Sequence, residues 1–370
     1  MRIGFDGRLP FHRMGGIGQY ILNLIPALAA LDPDDEYVVL QASGDPRSLV
    51  PPGAGNVRRH DVVTPSHHRL ERLTLPVELA GCGLDVLHSP DVVPPPSGAT
   101  RRVITVHDIW FVQHPEHLAP DGRRHYVDQV RWAVESADHV IADSDFTRRE
   151  VCEVLGAPPQ KVTTVHLAPA IPIHAGADRA AITATLDRLH LAPGFVLFVG
   201  TLEPRKNVGT LLRAVAQLSN TRHARVPLVL VGRRGWLCDD VLDQMARMRP
   251  ASDVRWLPDL PDRDVAHLYA AAGLLALPSL CEGFGLPVLE AMASGCPVVT
   301  SDRGALPEIA GSAAVHLEAE DAEAWARTLA RMLEDEAWRR ELIAAGRARA
   351  ADFSWAKTAA GTLRVYRAVS

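Results

Sequence analysis

The sequence predicts an α/β protein built from two doubly wound, Rossmann-like domains facing a central cleft. Three observations carry the prediction. At 370 residues the chain exceeds what one hydrophobic core usually organises and suits two domains of roughly 150 residues each. Short apolar runs alternate with helical stretches throughout, the pattern of parallel sheets wrapped by helices. The alternation is interrupted at Leu167–Ala177, where prolines and a glycine among small apolar residues read as a linker. Domains are therefore expected at 1–170 and 178–352.

In the first domain the candidate strands are Arg2–Phe5, Tyr37–Gln41, Val57–Val63, Asp85–His88, Arg102–Val106, His139–Ala142 and Val162–Val165. Ile17–Leu31 reads as a helix, because Ile21, Leu24, Ile25 and Leu28 form an apolar stripe at helical spacing. Pro26 within it is expected to kink or break it. Arg69–Ala80 and Pro120–Ala137 are further helices, and Pro94-Pro95-Pro96-Ser97-Gly98 is a surface loop.

The second domain repeats the alternation. Its strands are Phe195–Val199, Leu228–Val231, Val254–Leu257, Leu274–Leu277, Pro297–Thr300 and Ala314–His316. Its helices are Val208–Leu218, Cys238–Met248, Arg263–Ala272, Leu286–Ser294, Ala322–Glu334 and Trp338–Asp352, and Phe353–Val369 is one more. In open α/β sheets ligands bind outside the carboxyl ends of the strands. Candidate functional residues are therefore sought just after strands and at helix starts.

Composition narrows the function classes. Apolar content of 47% with 22% charged residues is ordinary for a soluble globular enzyme. A net charge of −5 argues against a general nucleic-acid binder. The five cysteines are odd in number and lack a Cys-x-x-Cys pair, so neither a disulfide framework nor a structural zinc site is expected, and a reducing cytosol is the simplest home. Met1–Asp6 reads as a first strand rather than a signal peptide, and no run approaches the ~20 apolar residues of a membrane span. Lys161, Lys206 and Lys357 are the only lysines, which makes Lys206 conspicuous.

The chain is organised around Cys281–Val299. Glu282-Gly283-Phe284-Gly285 is a loop whose glycines permit a sharp turn close to a ligand. A helix follows, with Pro287 suited to its first turn and Gly295 to its stop. This delivers a carboxylate and backbone N–H groups to the positive end of a helix, a ready place for phosphate. Glu290 lies about two turns further in.

Glu282 and Glu290 match the E-x7-E motif of the retaining glycosyltransferases of family 4, and the intervening Gly-Phe-Gly-Leu-Pro is similar to theirs. Other segments carry the resemblance in the same order. MGGIGQY (Met14 to Tyr20) looks like the family's glycine-rich loop, VHDIWFVQHPE (Val106 to Glu116) like its acceptor-side segment, and ADSDFTRRE (Ala142 to Glu150) like the end of its first domain. GTLEPRKN (Gly200 to Asn207) resembles its diphosphate-binding segment, and SDRGALPEIAG (Ser301 to Gly311) the stretch after the motif helix. The fold this resemblance implies is GT-B, with residues 353–370 returning to the first domain.

The resemblance implies roles for these residues. Arg205 and Lys206 would stabilise the diphosphate leaving group. Many members carry arginine directly after the strand-end glycine, where this chain has Thr201, and Arg205 is the candidate to supply that charge instead. Gly15 and Gly16, in a flexible loop with Gly18, would bring the Gly16 amide to the diphosphate on domain closure. Glu282, with the Phe284, Gly285 and Leu286 amides nearby, would hold the donor sugar, and Glu290 the ribose. The base would lie against Arg255–Pro258, where Trp256 either stacks on it or is buried in the core. Leu257 belongs with these backbone contacts, and Gly232 joins the donor-binding set. His107 and Asp108, pointing into the cleft, would position and polarise in a same-face reaction in which the leaving phosphate takes the acceptor proton.

No cofactor or metal is expected beyond the nucleotide-sugar donor. Asp143-Ser144-Asp145 and Asp262-Arg263-Asp264 spell D-x-D, but both are more simply turn or helix-cap residues. The histidines show no zinc spacing such as H-E-x-x-H. The sequence reading is thus a hexosyltransferase, with GDP-mannose as first donor and UDP-hexoses or deoxysugars as alternatives. A glycosidase using Glu282 and Glu290 as its carboxylate pair and a catalytically silent sugar-nucleotide binder are the competing classes. The acceptor is expected to be a glycan, a lipid-linked sugar or a small molecule. Arg69, Arg72, Arg123, Arg124 and Arg131 could face an anionic membrane, or be a solvated arginine-rich surface. Oligomeric state is left open.

Overall fold

The computed structural model describes residues 1–12, 15–68, 70–118, 123, 126–171, 178–218, 227–248 and 253–370. The chain forms two compact units, Met1–Ala170 together with Phe353–Ser370, and Ile171–Asp352. Each is a parallel sheet with helices.

The first unit holds β1 (Arg2–Asp6), β2 (Glu36–Ala42), β3 (Val57–Val62), β4 (Leu84–Ser89), β5 (Ala99–Val106), β6 (His139–Ala142) and β7 (Val162–Thr164). Their order across the sheet is β3-β2-β1-β4-β5-β6-β7, parallel throughout. Central strands read as apolar runs because helices cover both faces of such a sheet; Ile3, Val39, Val86 and Ile104 are fully buried.

The helix Gly16–Leu31 runs unbroken through Pro26, against the expectation of a break. Pro26 sits on the exposed side, where solvent can meet the carbonyl left without its donor. Burial of Ile21, Leu24, Ile25 and Leu28 holds the helix together across it. Among the described residues the helix expected at Pro120–Ala137 is regular only over Val130–Ser136, and residues 119–122, 124 and 125 lie outside them. The helix Asp145–Leu155 was not foreseen, because its buried stripe (Thr147, Val151, Leu155) is narrow and set among charges. Its caps were legible: the Ser144 hydroxyl accepts from the Thr147 amide, and Gly156 closes it at φ 75°.

The helix Trp355–Val369 completes this unit, packing on Gly16–Leu31 and β6. Trp355 Nε1 donates to Pro169 O at 2.9 Å, Thr358 Oγ1 to His166 O at 2.8 Å, and Arg367 to Asp32 at 2.6 Å. Deeper in, Tyr366 OH lies 2.6 Å from His88 Nδ1, and His88 Nε2 lies 2.7 Å from Thr105 Oγ1. Tyr20 OH meets the same threonine at 3.1 Å. Burial, helped by nearby His107, lowers the His88 pKa to about 3, so the ring is a neutral link with one donor and one acceptor nitrogen.

The second unit holds β8 (Val196–Val199), β9 (Leu228–Val231), β10 (Val254–Leu257), β11 (Leu274–Leu277), β12 (Val298–Ser301) and β13 (Val315–Leu317). They are parallel in the order β10-β9-β8-β11-β12-β13. The sequences LVLV and LLAL are buried at every position, as expected of strands covered on both faces. The helix Arg179–Arg188, also unforeseen, is capped by Asp178, whose side chain accepts from the Ala180 amide. Residues 172–177 of the expected linker lie outside the described residues.

In both sheets the winding reverses once, between β1 and β4 and between β8 and β11. The loops leaving a reversal point diverge to opposite faces and open a crevice at the carboxyl edge.

Tyr366→Phe tests the buried link between the terminal helix and the sheet. It is expected to destabilise the protein by about 1–3 kcal/mol, because a His88 nitrogen stays buried and loses its partner. Urea denaturation checks this; an unchanged midpoint would show that the link carries no weight.

Candidate functional site

The crevice of the second unit is built by the loops after β8 and β11. After β8 the chain makes a short 3-10 turn, Pro204–Lys206, closed by Asn207 in the left-handed region at φ 50°. The Asn207 side chain holds the turn in place: Nδ2 donates to Pro278 O (3.0 Å) and Ala319 O (2.7 Å), and Oδ1 accepts from Thr210 Oγ1 (2.8 Å). The Leu280 amide donates to Arg205 O at 2.8 Å, which stitches the two loops together.

This stitching brings Arg205 and Lys206 onto Glu282. Lys206 Nζ donates to Glu282 Oε1 at 2.6 Å, and Arg205 Nη1 to Oε2 at 3.1 Å and to Cys281 O at 3.0 Å. Arg205 Nη2 also reaches Glu203 Oε1 at 2.9 Å, and Ser279 Oγ donates to Glu282 Oε1 at 2.7 Å. The carboxylate is 5% exposed and Lys206 9%. Burial works to raise the Glu282 pKa, but Lys206 and Arg205 outweigh it and hold it down at about 2. Two carboxylates and two cations thus pair in one buried cluster whose formal charges cancel. A side chain at Gly304 would place its Cβ 2.5 Å from Glu282 O, so the following segment closes over this backbone only with glycine there.

Gly285, at φ 100°, turns the chain into the helix Leu286–Ser294, and a Cβ on it would lie 2.8 Å from Leu306 Cδ2. Phe284 beside it is buried. Glu290 is buried in the second turn, where Tyr269 OH donates to its Oε2 at 2.9 Å. Gly295 ends the helix in the left-handed region, the position the sequence assigned to the stop.

Behind the cluster the loops after β8, β9 and β10 interlock. A Cβ on Gly232 would fall 2.1 Å from Gly200 O, and the Leu202 amide donates to Arg233 O at 2.9 Å. The Gly232 amide donates to Leu257 O at 3.2 Å. Trp256 is half-buried rather than a core residue, and its Nε1 donates to Gly232 O at 2.8 Å. Thr201 lies half-buried in the same interlocked stretch.

In the first unit, His107 follows β5 and is engaged through both ring nitrogens. Nδ1 lies 2.5 Å from Asp143 Oδ2 and Nε2 2.8 Å from Pro90 O. Burial opposes a charge there, but the Asp143 carboxylate and the Pro90 carbonyl outweigh it and raise the His107 pKa to about 9. With both nitrogens engaged, the ring carries a held positive charge and leaves an edge rather than a nitrogen for a neighbour. The Tyr20 ring meets it edge-on at 5.2 Å. Asp108 Oδ1 accepts from the Trp110 amide at 3.2 Å.

The glycine cluster is also not a free loop. Gly15 is the extended cap of the helix that Gly16 opens, and Gly18 is buried inside that helix; Met14 lies outside the described residues. Arg72 stacks over Trp132 at 3.5 Å and Arg131 donates to Val154 O at 3.2 Å, so both are occupied within their own unit, whereas Arg123 is exposed. Arg69 and Arg124 lie outside the described residues.

Sequence reasoning missed Glu203, Ser279, Asp143 and Tyr269. Asp143 had a signal, since it follows β6 just as His107 follows the neighbouring β5, but its D-x-D setting drew attention to metals and caps. Ser144 is indeed a cap, and Asp264 is a buried partner of Arg188 at 2.7 Å.

Two doubly wound parallel sheets with these strand orders are the GT-B fold of glycosyltransferases. The family description "Glycosyltransferase Family 4" matches residues 14–168, and "Glycosyl transferases group 1" matches residues 189–349. The chain is 36% identical over 274 residues to an O-antigen chain mannosyltransferase B of Escherichia coli, covering 74% of this chain and 71% of that one. It is 31% identical over 390 residues to a D-inositol 3-phosphate glycosyltransferase of Frankia alni, covering 95% and 94%. Among solved structures it resembles Anabaena HepE in complex with UDP-glucose, with TM-score 0.75 and 21% identity over 99% of this chain and 100% of that one. The chain belongs to glycosyltransferase family 4. Among the described residues no helix is long and apolar enough to cross a membrane.

The depressed Glu282 pKa makes a stability prediction. A carboxylate lowered from 4.5 to about 2 contributes about 3 kcal/mol that is fully present above pH 4.5 and is lost as pH falls toward 2. Glu282→Gln should therefore be less stable than the parent at neutral pH, since it leaves the buried Lys206 and the half-buried Arg205 without this carboxylate. The gap should narrow steadily below pH 4.5. Urea denaturation across that range checks it, and a gap independent of pH would refute the charge-pair account.

Proposed function

We propose that this glycosyltransferase moves a hexose from a nucleotide-diphosphate sugar to a glycan or lipid-linked acceptor, with retention at the anomeric carbon and without a metal ion. The carrying observation is the convergence of Lys206 and Arg205 on Glu282 at the β8/β11 reversal point. GDP-mannose is the first donor, supported by the mannosyltransferase name of the Escherichia coli relative. UDP-glucose or another UDP-hexose is the second reading, supported by the ligand of the Anabaena protein of the same fold.

As the anomeric bond breaks, negative charge grows on the diphosphate and positive charge on the sugar. Fixed cations in a buried setting stabilise the first far better than water does. Because the cluster's formal charges cancel, a diphosphate is drawn by partner exchange rather than by net charge. Lys206 and Arg205 turn from Glu282 to the phosphates, and the released carboxylate accepts hydrogen bonds from sugar hydroxyls. Glu290, oriented by the Tyr269 hydroxyl, holds the ribose diol, while Trp256 pins the Gly232 carbonyl near the base. His107 has both nitrogens engaged and so is not a proton acceptor. That supports a same-face route in which the departing phosphate takes the acceptor proton, with Asp108 and the His107 charge positioning.

Incubation with a panel of sugar nucleotides in excess EDTA tests this reading. Slow release of GDP from GDP-mannose is expected. Faster hydrolysis of a UDP-sugar would favour the second donor, and binding of every donor without turnover would leave a silent binder. Complete loss in EDTA, restored by manganese or magnesium, would overturn the metal-free chemistry.

The two glutamates should separate by role. Glu282→Gln removes a contact that strengthens as the ring gains positive charge, and should lower kcat at least about tenfold, or ~1.4 kcal/mol. Glu290→Gln removes a contact made equally in ground and transition states, and should mainly raise KM and weaken inhibition by the free nucleoside diphosphate. That product lacks the sugar, so Glu282→Gln should not weaken product inhibition, and should strengthen it because Lys206 and Arg205 no longer have to leave the carboxylate. Equal weakening in both variants, or in neither, would refute the division.

A further inference from the structure

We propose that His114, Glu116 and His117, on the first unit, form a binding site for one divalent ion of the zinc type. Among the described residues this is the one group of three or more histidine, cysteine or carboxylate side chains whose ligand atoms converge, all within 4.8 Å of one another. The site stands on its own geometry and does not depend on the donor assigned above.

The local backbone explains the convergence. Trp110–Gln113 is a single helical turn, closed by the His114 amide donating to Trp110 O at 2.9 Å. Pro115 then starts a 3-10 turn, Pro115–His117, in which the His117 amide donates to His114 O at 3.1 Å. A 3-10 turn brings residues three apart onto one side, so His114 and His117 share a face and Glu116 lies between them in sequence. The rings are nearly parallel: Trp110 stacks on His114 at 3.7 Å and 25°, and His114 on His117 at 5.5 Å and 12°. The indole packs on one face of the His114 ring, and binding an ion turns the imidazoles from this stacked arrangement.

The donor set selects the ion. Two imidazoles and one carboxylate suit zinc and neighbouring transition ions, whereas magnesium and calcium prefer all-oxygen sites. Tetrahedral zinc with bonds of about 2.0–2.2 Å needs donors roughly 3.3 Å apart. His114 Nδ1 and Glu116 Oε1 are already 3.1 Å apart, joined by a hydrogen bond that the ion would replace. The Glu116 side chain is 61% exposed and that of His114 36%, so the remaining approach needs side-chain rotation at the surface and no change in the core. Three protein ligands leave a coordination position for water. The ion would fix the turn that leaves β5 just beyond His107 and Asp108.

Zinc titration of the chelator-treated, full-length protein against a chromophoric competitor tests the site, with cobalt absorption reporting coordination. One equivalent is expected, weakened on the order of tenfold or more by His114→Ala and by His117→Ala, with circular dichroism unchanged because both histidines are half-buried in a short turn outside the sheet. Glu116→Gln should weaken binding and alter the cobalt spectrum. Cys82 Sγ lies 3.7 Å from His60 Nε2, a competing thiol–imidazole pair, so Cys82→Ser should leave the equivalent intact. Absence of stoichiometric binding in the parent would overturn the proposal. So would unchanged affinity in the His114→Ala, His117→Ala double variant, or loss of the equivalent in Cys82→Ser.

Discussion

The structure of the second unit turns on one carboxylate held by two cations. Glu282 is buried, and taking it from water would be costly without Lys206 and Arg205 against its two oxygens. That pairing has geometric prerequisites. β8 and β11 must be neighbours, Asn207 must close the turn in a left-handed conformation, and Gly304 must let the next segment pass over the Glu282 backbone. A buried ion pair is weak evidence for stability in itself. In the proposed function it holds opposite charges at the reversal point, where a diphosphate would exchange with them.

The first unit places a second buried ion pair at the equivalent edge of its own sheet. His107 and Asp143 follow the adjacent strands β5 and β6, so parallel register brings them face to face. Behind them His88 meets the same kind of burial without a carboxylate partner and stays neutral, joined to Tyr366 and Thr105. Two histidines in one unit thus take opposite charge states. The difference is the company each keeps: a carboxylate for one, hydroxyls for the other. The neutral link ties the chain's last helix into the sheet, which makes the first unit a product of both ends of the sequence.

Much of the fold was legible because its signals are local. LVLV and LLAL can hardly be anything but fully buried strands, and Gly295 stops its helix where a left-handed residue is needed. Pro26 misled because the rule that proline breaks helices concerns one hydrogen bond, while four buried side chains on the opposite side weigh more. The glycines at 15, 16 and 18 suggested a loose loop, yet two of them lie within a helix whose buried face begins at Gly18.

By itself the sequence determined the family and the alternation that makes two parallel sheets, and it placed the candidate residues on strand-following loops, because residue type, spacing and strand ends are written along the chain. Only the tertiary structure decided who meets whom. Glu203 and Ser279 bond residues only two and three positions away, but the Arg205 and Glu282 they hold meet each other only because the β8 and β11 loops are stitched at the reversal point. Asp143 became the counter-charge of His107 through strand adjacency, and Tyr269 the orienter of Glu290 through the packing of two helices. Pairing across 21 to 77 positions depends on strand order and helix packing, which no local spacing encodes.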